Sequence, residues 1–399
     1  MGGSGGHIPP PQLPGNTYSE SPIFSPPALI KPSALRSLTR KLRFPVSALA
    51  LRLFTSALAA EAANGAGRPG CLCAVAAAAP RAARHQDTGC FLVHATREQG
   101  RMARIPGFFL DQLRCKLFTP FVPMFLPAKM FRYAQVAHIP GALYFDIDGI
   151  SDRTTHLPHM LPSEEAFAAA VSALGISNHD KVIVYDGKGF YSAPRVWWMF
   201  RILGHDKVWV LDGGFPQWQA SGFNIGSSCL DDAVLKSRAA NSAVETAYNG
   251  ELANAATFQT EFRHQLLWTL EKVKHNVAAK AHQVVDARVK GRFDGVMPEP
   301  REGVRSGHIP GTKCVPFPEM SDGAQTLLPA DEISKKFEQA GISLADPIVL
   351  TCASGVTACI LALGLYRIGK HDVPVYDGSW TEWEALPDND YPIVTSAGS

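Results

Sequence analysis

From about residue 133 onward, the apolar positions fall into a rhythm of short continuous runs separated by amphipathic stretches. The runs "QVVDAR" (283–288), "PIVL" (347–350) and "VPVYD" (373–377) have no polar alternation, as expected of strands covered on both faces. The stretches "SEEAFAAAVSALG" (163–175) and "DEISKKFEQAG" (331–341) carry apolar residues at helical spacing. Ser163 and Asp331 stand as N-caps, and Gly175 and Gly341 as stops. Strands alternating with helices predict an α/β fold with a mostly parallel sheet, whose chemistry lies beyond the carboxyl ends of the strands.

The rhythm occurs twice. "HIPGALYFDIDG" begins at His138 and "HIPGTKCVPFPEM" at His308; "KVIVYDGKGF" ends a strand at Asp186 where "PIVLTCASGV" ends one at Cys352. "VWVLDGGFPQW" sets Asp212 and Trp218 where "VPVYDGSWTEW" sets Asp377 and Trp383. Three matches in one order at nearly one spacing define two homologous domains. The expected limits are an atypical extension over 1–130, a first domain over 131–228, a linker over 229–275 and a second domain over 276–396.

The extension differs in composition. Residues 1–30 are rich in Gly, Pro and Ser and predict disorder. Residues 28–60 contain Lys31, Arg36, Arg40, Lys41, Arg43 and Arg52 and no acid, the character of an organelle transit peptide. Mitochondrial delivery is expected, with plastid or cytoplasm as alternatives. Arg52 interrupts the apolar part, so no membrane span is expected. Residues 61–130 show no clear period. The net charge of +2 argues against nucleic acid as a partner. The eight cysteines are scattered, unlike a disulfide framework, and Cys71 and Cys73 lack the second pair that a zinc site needs.

The segment "IVLTCASGVTACILAL" (348–363) places Cys352 where an apolar strand ends and a helix begins near Thr357. Backbone amides of residues 353–358, with the positive helix end behind them, favour an anion at the sulfur. Such a field favours a nucleophilic thiolate. Small residues at 353 and 355 allow close approach, and Ser354 and Thr357 add hydroxyls. The polar loop predicts that Cys352 sits at a rim. Cys359, inside "ACILAL", reads as a buried structural cysteine. A phosphatase loop of this topology requires C-x5-R, and position 358 is Ala.

"CASGVTA", the paired "HIPG" segments, "GRFDGVMPEPREGVRSGHIPG" and "YDGSWTEW" resemble tandem rhodanese-domain sulfurtransferases, and among them the plant-type 3-mercaptopyruvate branch ("VWVLDGG", "LPHMLPSEEAF"), over roughly residues 133–393. The resemblance implies two tandem rhodanese-like domains, of which the second is catalytic. Cys352 takes sulfur from a small donor as a persulfide and passes it to a thiol (thioredoxin or glutathione) or to cyanide. It also implies Arg292 and Arg301 as binders of the donor carboxylate, an Asp148–His159–Ser354 relay, and Tyr191 with Gly355, Val356 and Thr357 in the donor pocket. No metal or other cofactor is implied. Positions 353–356 are uncharged, which suits 3-mercaptopyruvate over thiosulfate, since relatives preferring that dianion carry cations in the loop.

Two departures from the family pattern stand out. Ala353 replaces the usual Gly, a costly change if the loop is left-handed there. The second domain opens on "QVVDARVKGRF", but the constant offset leads to residues 113–132, where no strand-plus-Asp signature appears. The first domain is therefore expected to lack its opening strand, unless "CKLFTPFV" substitutes for it. That absence would favour a catalytically impaired binding or regulatory variant.

Overall fold

The computed structural model describes residues 29–30, 90–96, 137–226, 232–250 and 256–396. The first domain contains strands β1 (Leu29–Ile30), β2 (Cys90–Thr96), β3 (Leu143–Asp146), β4 (Lys181–Tyr185) and β5 (Val208–Leu211). Its helices are α1 (Glu164–Ala173), α2 (Ala193–Ile202), α3 (Gly214–Ala220) and α4 (Asp232–Tyr248). The second domain contains β6 (Leu267–Trp268), β7 (Gln283–Asp286), β8 (Lys313–Cys314), β9 (Ile348–Thr351) and β10 (Val375–Tyr376). Its helices are α5 (Leu270–Ala279), α6 (Lys290–Phe293), α7 (Ala330–Gln339), α8 (Ala358–Arg367) and α9 (Ser379–Trp383).

The sheets run β1-β5-β4-β2-β3 and β6-β10-β9-β7-β8, with every pairing parallel. Position for position, these are the same sheet. The repeated His-Ile-Pro-Gly segments behave alike too: His138 exchanges backbone hydrogen bonds with Gly226, and His308 with Val394.

The opening strand of the first domain is present, which corrects the expectation that it is missing. β2 lies between β4 and β3, with Val93 opposite both Val184 and Leu143. Its counterpart β7 sets Val285 opposite Leu350 and Lys313. The strand comes from "CFLVHAT", well upstream of residues 113–132, so a constant offset looks in the wrong place. Val93 and Ala95 are fully buried, since a central strand covered on both faces needs a continuous apolar run rather than a particular sequence. The extension is thus not wholly unstructured: β1 and β2 both come from it, β1 as the edge strand beside β5. The candidate substitute "CKLFTPFV" and the remainder of the transit-like stretch lie outside the described residues.

The expected linker over 229–275 is largely domain structure. α4 packs on the first domain, with Ala240 and Val244 in its core and Asn241 Nδ2 donating to Asp146 Oδ2 at 3.2 Å. Phe258 completes an aromatic cluster with Phe145, Phe167 and Phe200. β6 and the start of α5, by contrast, belong to the second domain. Local capping agrees with the sequence at Ser163, whose Oγ accepts from Ala166 N at 3.2 Å, and Gly175 and Gly341 end their turns at φ 83° and 73°. It differs at Asp331, which lies in the first turn of α7 behind Pro329 as the N-cap.

Candidate active site

Cys352 follows β9, and the loop after it leads into α8 with Thr357 as the N-cap. The left-handed residue of that loop is Gly355 (φ 72°), while Ala353 has no positive φ. The methyl group of Ala353 is therefore accommodated without backbone strain. Cys352 is only 1% exposed, a correction to the expected rim position. The loop folds over the strand end, and the first domain packs on the loop through Arg195, whose Nη1 donates to Gly355 O at 3.4 Å. Cys359 is buried as expected, and burial pushes its thiol well above the ordinary range.

Not every loop amide is turned toward the sulfur. The amides of Cys352 and Gly355 donate instead to Ser379 Oγ, at 3.2 and 3.1 Å, and that hydroxyl donates to Tyr376 O at 2.7 Å. The first domain shows what amides at this place in the fold can hold. There Asp186 stands in place of the cysteine, and its carboxylate accepts from Lys188 N (2.7 Å), Ser192 N (2.8 Å) and Ala193 N (2.9 Å). Burial pushes this carboxyl above its ordinary range, and those amides oppose the shift. Aligning Asp186 with Cys352 sets Ser354 in the place of Lys188. The second loop is one residue shorter, so aligning the helix caps, Ser192 and Thr357, sets Thr357 and Ala358 in the places of Ser192 and Ala193. The first repeat thus has a carboxylate built into its cradle, where the second repeat has a sulfur.

The other expected residues gather from both domains. His159 Nδ1 lies 2.8 Å from Asp148 Oδ1, and its Nε2 lies 3.5 Å from Arg301 Nη2. Arg301 thus comes from the second domain to meet a histidine of the first. Arg292 Nη1 pairs with Glu299 Oε2 at 3.2 Å; Glu299 also holds Arg288, at 2.8 Å. Ser354 is buried, and its Oγ has no hydrogen-bond partner among the described residues. Val356 and Thr357 are buried in the loop. Tyr191 packs edge-on against Phe317 of the second domain, with the Lys188 ammonium over its ring.

Four contributors escaped the sequence reading: Arg195, Asp377, Ser379 and Glu299. Arg195 is fully buried, and its Nη1 meets Asp377 Oδ1 at 2.5 Å. Burial alone would weaken its protonation, but the Asp377 carboxylate outweighs that and holds it above its ordinary value. Asp377 was visible only as a marker of the repeat. The signal for Ser379 was a contrast: the first repeat has Gly214 at that place, with φ 51° against 55° for Ser379.

A rhodanese-like domain model matches residues 129–221 and 269–386, and the chain belongs to that family. Among its relatives, the Arabidopsis thaliana protein named thiosulfate/3-mercaptopyruvate sulfurtransferase 1, mitochondrial, is 63% identical over 263 residues, covering 66% of this chain and 69% of the relative. Human 3-mercaptopyruvate sulfurtransferase is 43% identical over 254 residues, covering 63% of this chain and 78% of the relative. In the solved structures, SseA of Escherichia coli, described with the 3-mercaptopyruvate sulfotransferases, matches with TM-score 0.54 at 29% identity, over 73% of this chain and 92% of its own.

Proposed function

We propose that this chain is a sulfurtransferase that takes sulfur from 3-mercaptopyruvate, and more weakly from thiosulfate, onto Cys352 and passes it to a thiol or to cyanide. The observation that carries this reading is the matched pair of loops. Where one holds a carboxylate on backbone amides, the other sets a thiol at the same strand end, ahead of the same turn into a helix.

In the first half-reaction the Cys352 thiolate attacks the donor sulfur, forming an S–S bond. The donor C–S bond breaks with its electron pair left on carbon. His159, with Nδ1–H directed at Asp148, takes the donor thiol proton on Nε2 and returns it to that carbon, so that pyruvate leaves. The products are pyruvate and an anionic persulfide, whose outer sulfur takes the place that the Asp186 carboxylate occupies in the first repeat. Arg292 and Arg301 hold the donor carboxylate, and the unpartnered hydroxyl of Ser354 supplies a hydrogen bond to the reacting sulfur. Tyr191 walls the donor pocket. In the second half-reaction an acceptor thiolate or cyanide attacks the outer sulfur, and Cys352 leaves as thiolate.

The uncharged loop supports the donor preference, because a thiosulfate dianion finds no cation at 353–356. The impaired-variant reading rested on a missing strand, and β2 occupies that place. Mitochondrial delivery is supported by the acid-free Arg-rich stretch and by the name of the Arabidopsis relative; any processing has to leave residues 90–96 in place. The decisive measurement is mass spectrometry of the Cys352 peptide after exposure to 3-mercaptopyruvate. One added sulfur, removable by cyanide, is expected, and an unmodified peptide would defeat the assignment.

A further inference from the structure

A single guanidinium touches both halves of the proposed chemistry. Arg195 extends from α2 of the first domain, entirely buried, with its plane over the Trp198 ring at 4.7 Å. Its Nη2 donates to the backbone oxygen of His159 at 2.6 Å, and its Nη1 to Asp377 Oδ1 at 2.5 Å and Gly355 O at 3.4 Å. The other carboxylate oxygen of Asp377 accepts from Leu161 N at 2.7 Å. The turn carrying His159 is thus held at two backbone points by one ion pair, and that pair rests on the cysteine loop.

His159 needs such a clamp. Its φ is 65°, a left-handed conformation that a non-glycine residue holds only when its surroundings impose it. The Gly355 side is equally close, since a Cβ there would meet Asp377 Oδ1 at 2.5 Å and Arg195 Nη1 at 3.0 Å.

The repeat separates this role from simple domain docking. Asp212 corresponds to Asp377 and accepts from Leu327 N at 2.8 Å, as Asp377 does from Leu161. Gln325 stands where His159 stands and is left-handed too, at φ 61°. The place equivalent to Arg195, however, falls at Ile360 and Leu361, which are apolar. The Asp-to-turn contact joins the domains on both sides, while the arginine occurs only on the side that faces the cysteine.

We infer that Arg195 is a positioning residue that sets His159 against the donor, a role that rests on the sulfurtransferase reading above. A donor-selective effect follows. 3-Mercaptopyruvate has a thiol proton to lose, whereas thiosulfate has none at neutral pH, so only the first depends on where His159 stands.

The test measures single-turnover persulfide formation on Cys352 from each donor, in wild type, Arg195→Lys, Asp377→Asn and His159→Gln. In Arg195→Lys the rate from 3-mercaptopyruvate is expected to fall about tenfold to a hundredfold. The rate from thiosulfate is expected to fall by a clearly smaller factor, and a retained cooperative unfolding transition certifies the fold. Asp377→Asn is expected to show the same selectivity if Arg195→Lys does not fold, and Arg195→Lys should add little in a His159→Gln background. Parallel loss with both donors, or no loss with either, overturns the inference while leaving the function intact. A wild type that loads from thiosulfate alone overturns the functional reading, and the inference with it.

Discussion

The hydroxyl of Ser379 lies 3.2 Å from the amide nitrogen of Cys352, and the backbone that carries it is left-handed. A serine held at φ 55° where the other repeat uses glycine trades local strain for a tie to the nucleophile's loop. Ser379→Gly is expected to leave thermal stability nearly unchanged, because relief of strain offsets the lost hydrogen bonds, while slowing persulfide formation. Ser379→Ala keeps the strain and strands two buried amides, costing about 1–3 kcal/mol. Denaturant unfolding beside single-turnover rates separates the two variants.

Glu299 holds Arg292 at 3.2 Å and the buried Arg288 at 2.8 Å, so it fixes an arginine assigned to the donor carboxylate. Glu299→Gln is expected to raise KM for 3-mercaptopyruvate about tenfold, the worth of a charge-assisted hydrogen bond of about 1.5 kcal/mol. Steady-state kinetics check this; an unchanged KM with a reduced kcat would place Glu299 elsewhere in the reaction.

Two substitutions in the cysteine loop should behave oppositely. Gly355→Ala forces a left-handed Cβ to within 2.5 Å of Asp377 Oδ1 and should abolish sulfur transfer. Ala353→Gly restores the family's usual residue at a position that needs no positive φ, and should change activity and stability by less than about 1 kcal/mol equivalent. A large gain from Ala353→Gly would show that the methyl itself obstructs the donor.

The strand Cys90–Thr96 is open to a direct check. Val93 is fully buried between neighbouring strands, so Val93→Asp puts an unpaired carboxylate in the centre of the first sheet. That costs several kcal/mol, comparable to the whole stability of a domain. Loss of cooperative unfolding and of 3-mercaptopyruvate activity is expected, whereas the same change at a solvated site would do neither.

His205 gives the fold a response to acid. Burial pushes its imidazole down to about 4, and Lys207 adds to the effect. Because the unfolded chain binds this proton near pH 6.5 and the folded chain only near 4, stability is intact above about 6.5 and declines as the pH falls between those values, by about 3 kcal/mol in total. His205→Gln should flatten that part of a Tm–pH curve; an unchanged slope would assign the acid response to other groups.

The twofold repeat, the parallel sheets and the cysteine at a strand end were legible because each is written locally, in apolar runs and fixed spacings. β2 was not. Its place in the sheet depends on being apolar and sufficiently long, properties that many segments share, and only pairing with β3 and β4 selects "CFLVHAT". Ser379 and Arg195 escaped for another reason. Ser379 acts on amides 27 and 24 residues earlier, and Arg195 reaches a carboxylate 182 residues later, so no local pattern announces either. Cys352 was read correctly as the strand-end residue but wrongly as exposed, because a domain that closes over a loop leaves no mark in the loop.

The proposed base stands on one repeat and the nucleophile on the other, joined through Arg195 and Asp377. Duplication here has produced complementary halves rather than two copies of an enzyme. Cutting the gene between the repeats should yield two fragments, each inert toward 3-mercaptopyruvate when alone, with turnover regained only when they are mixed.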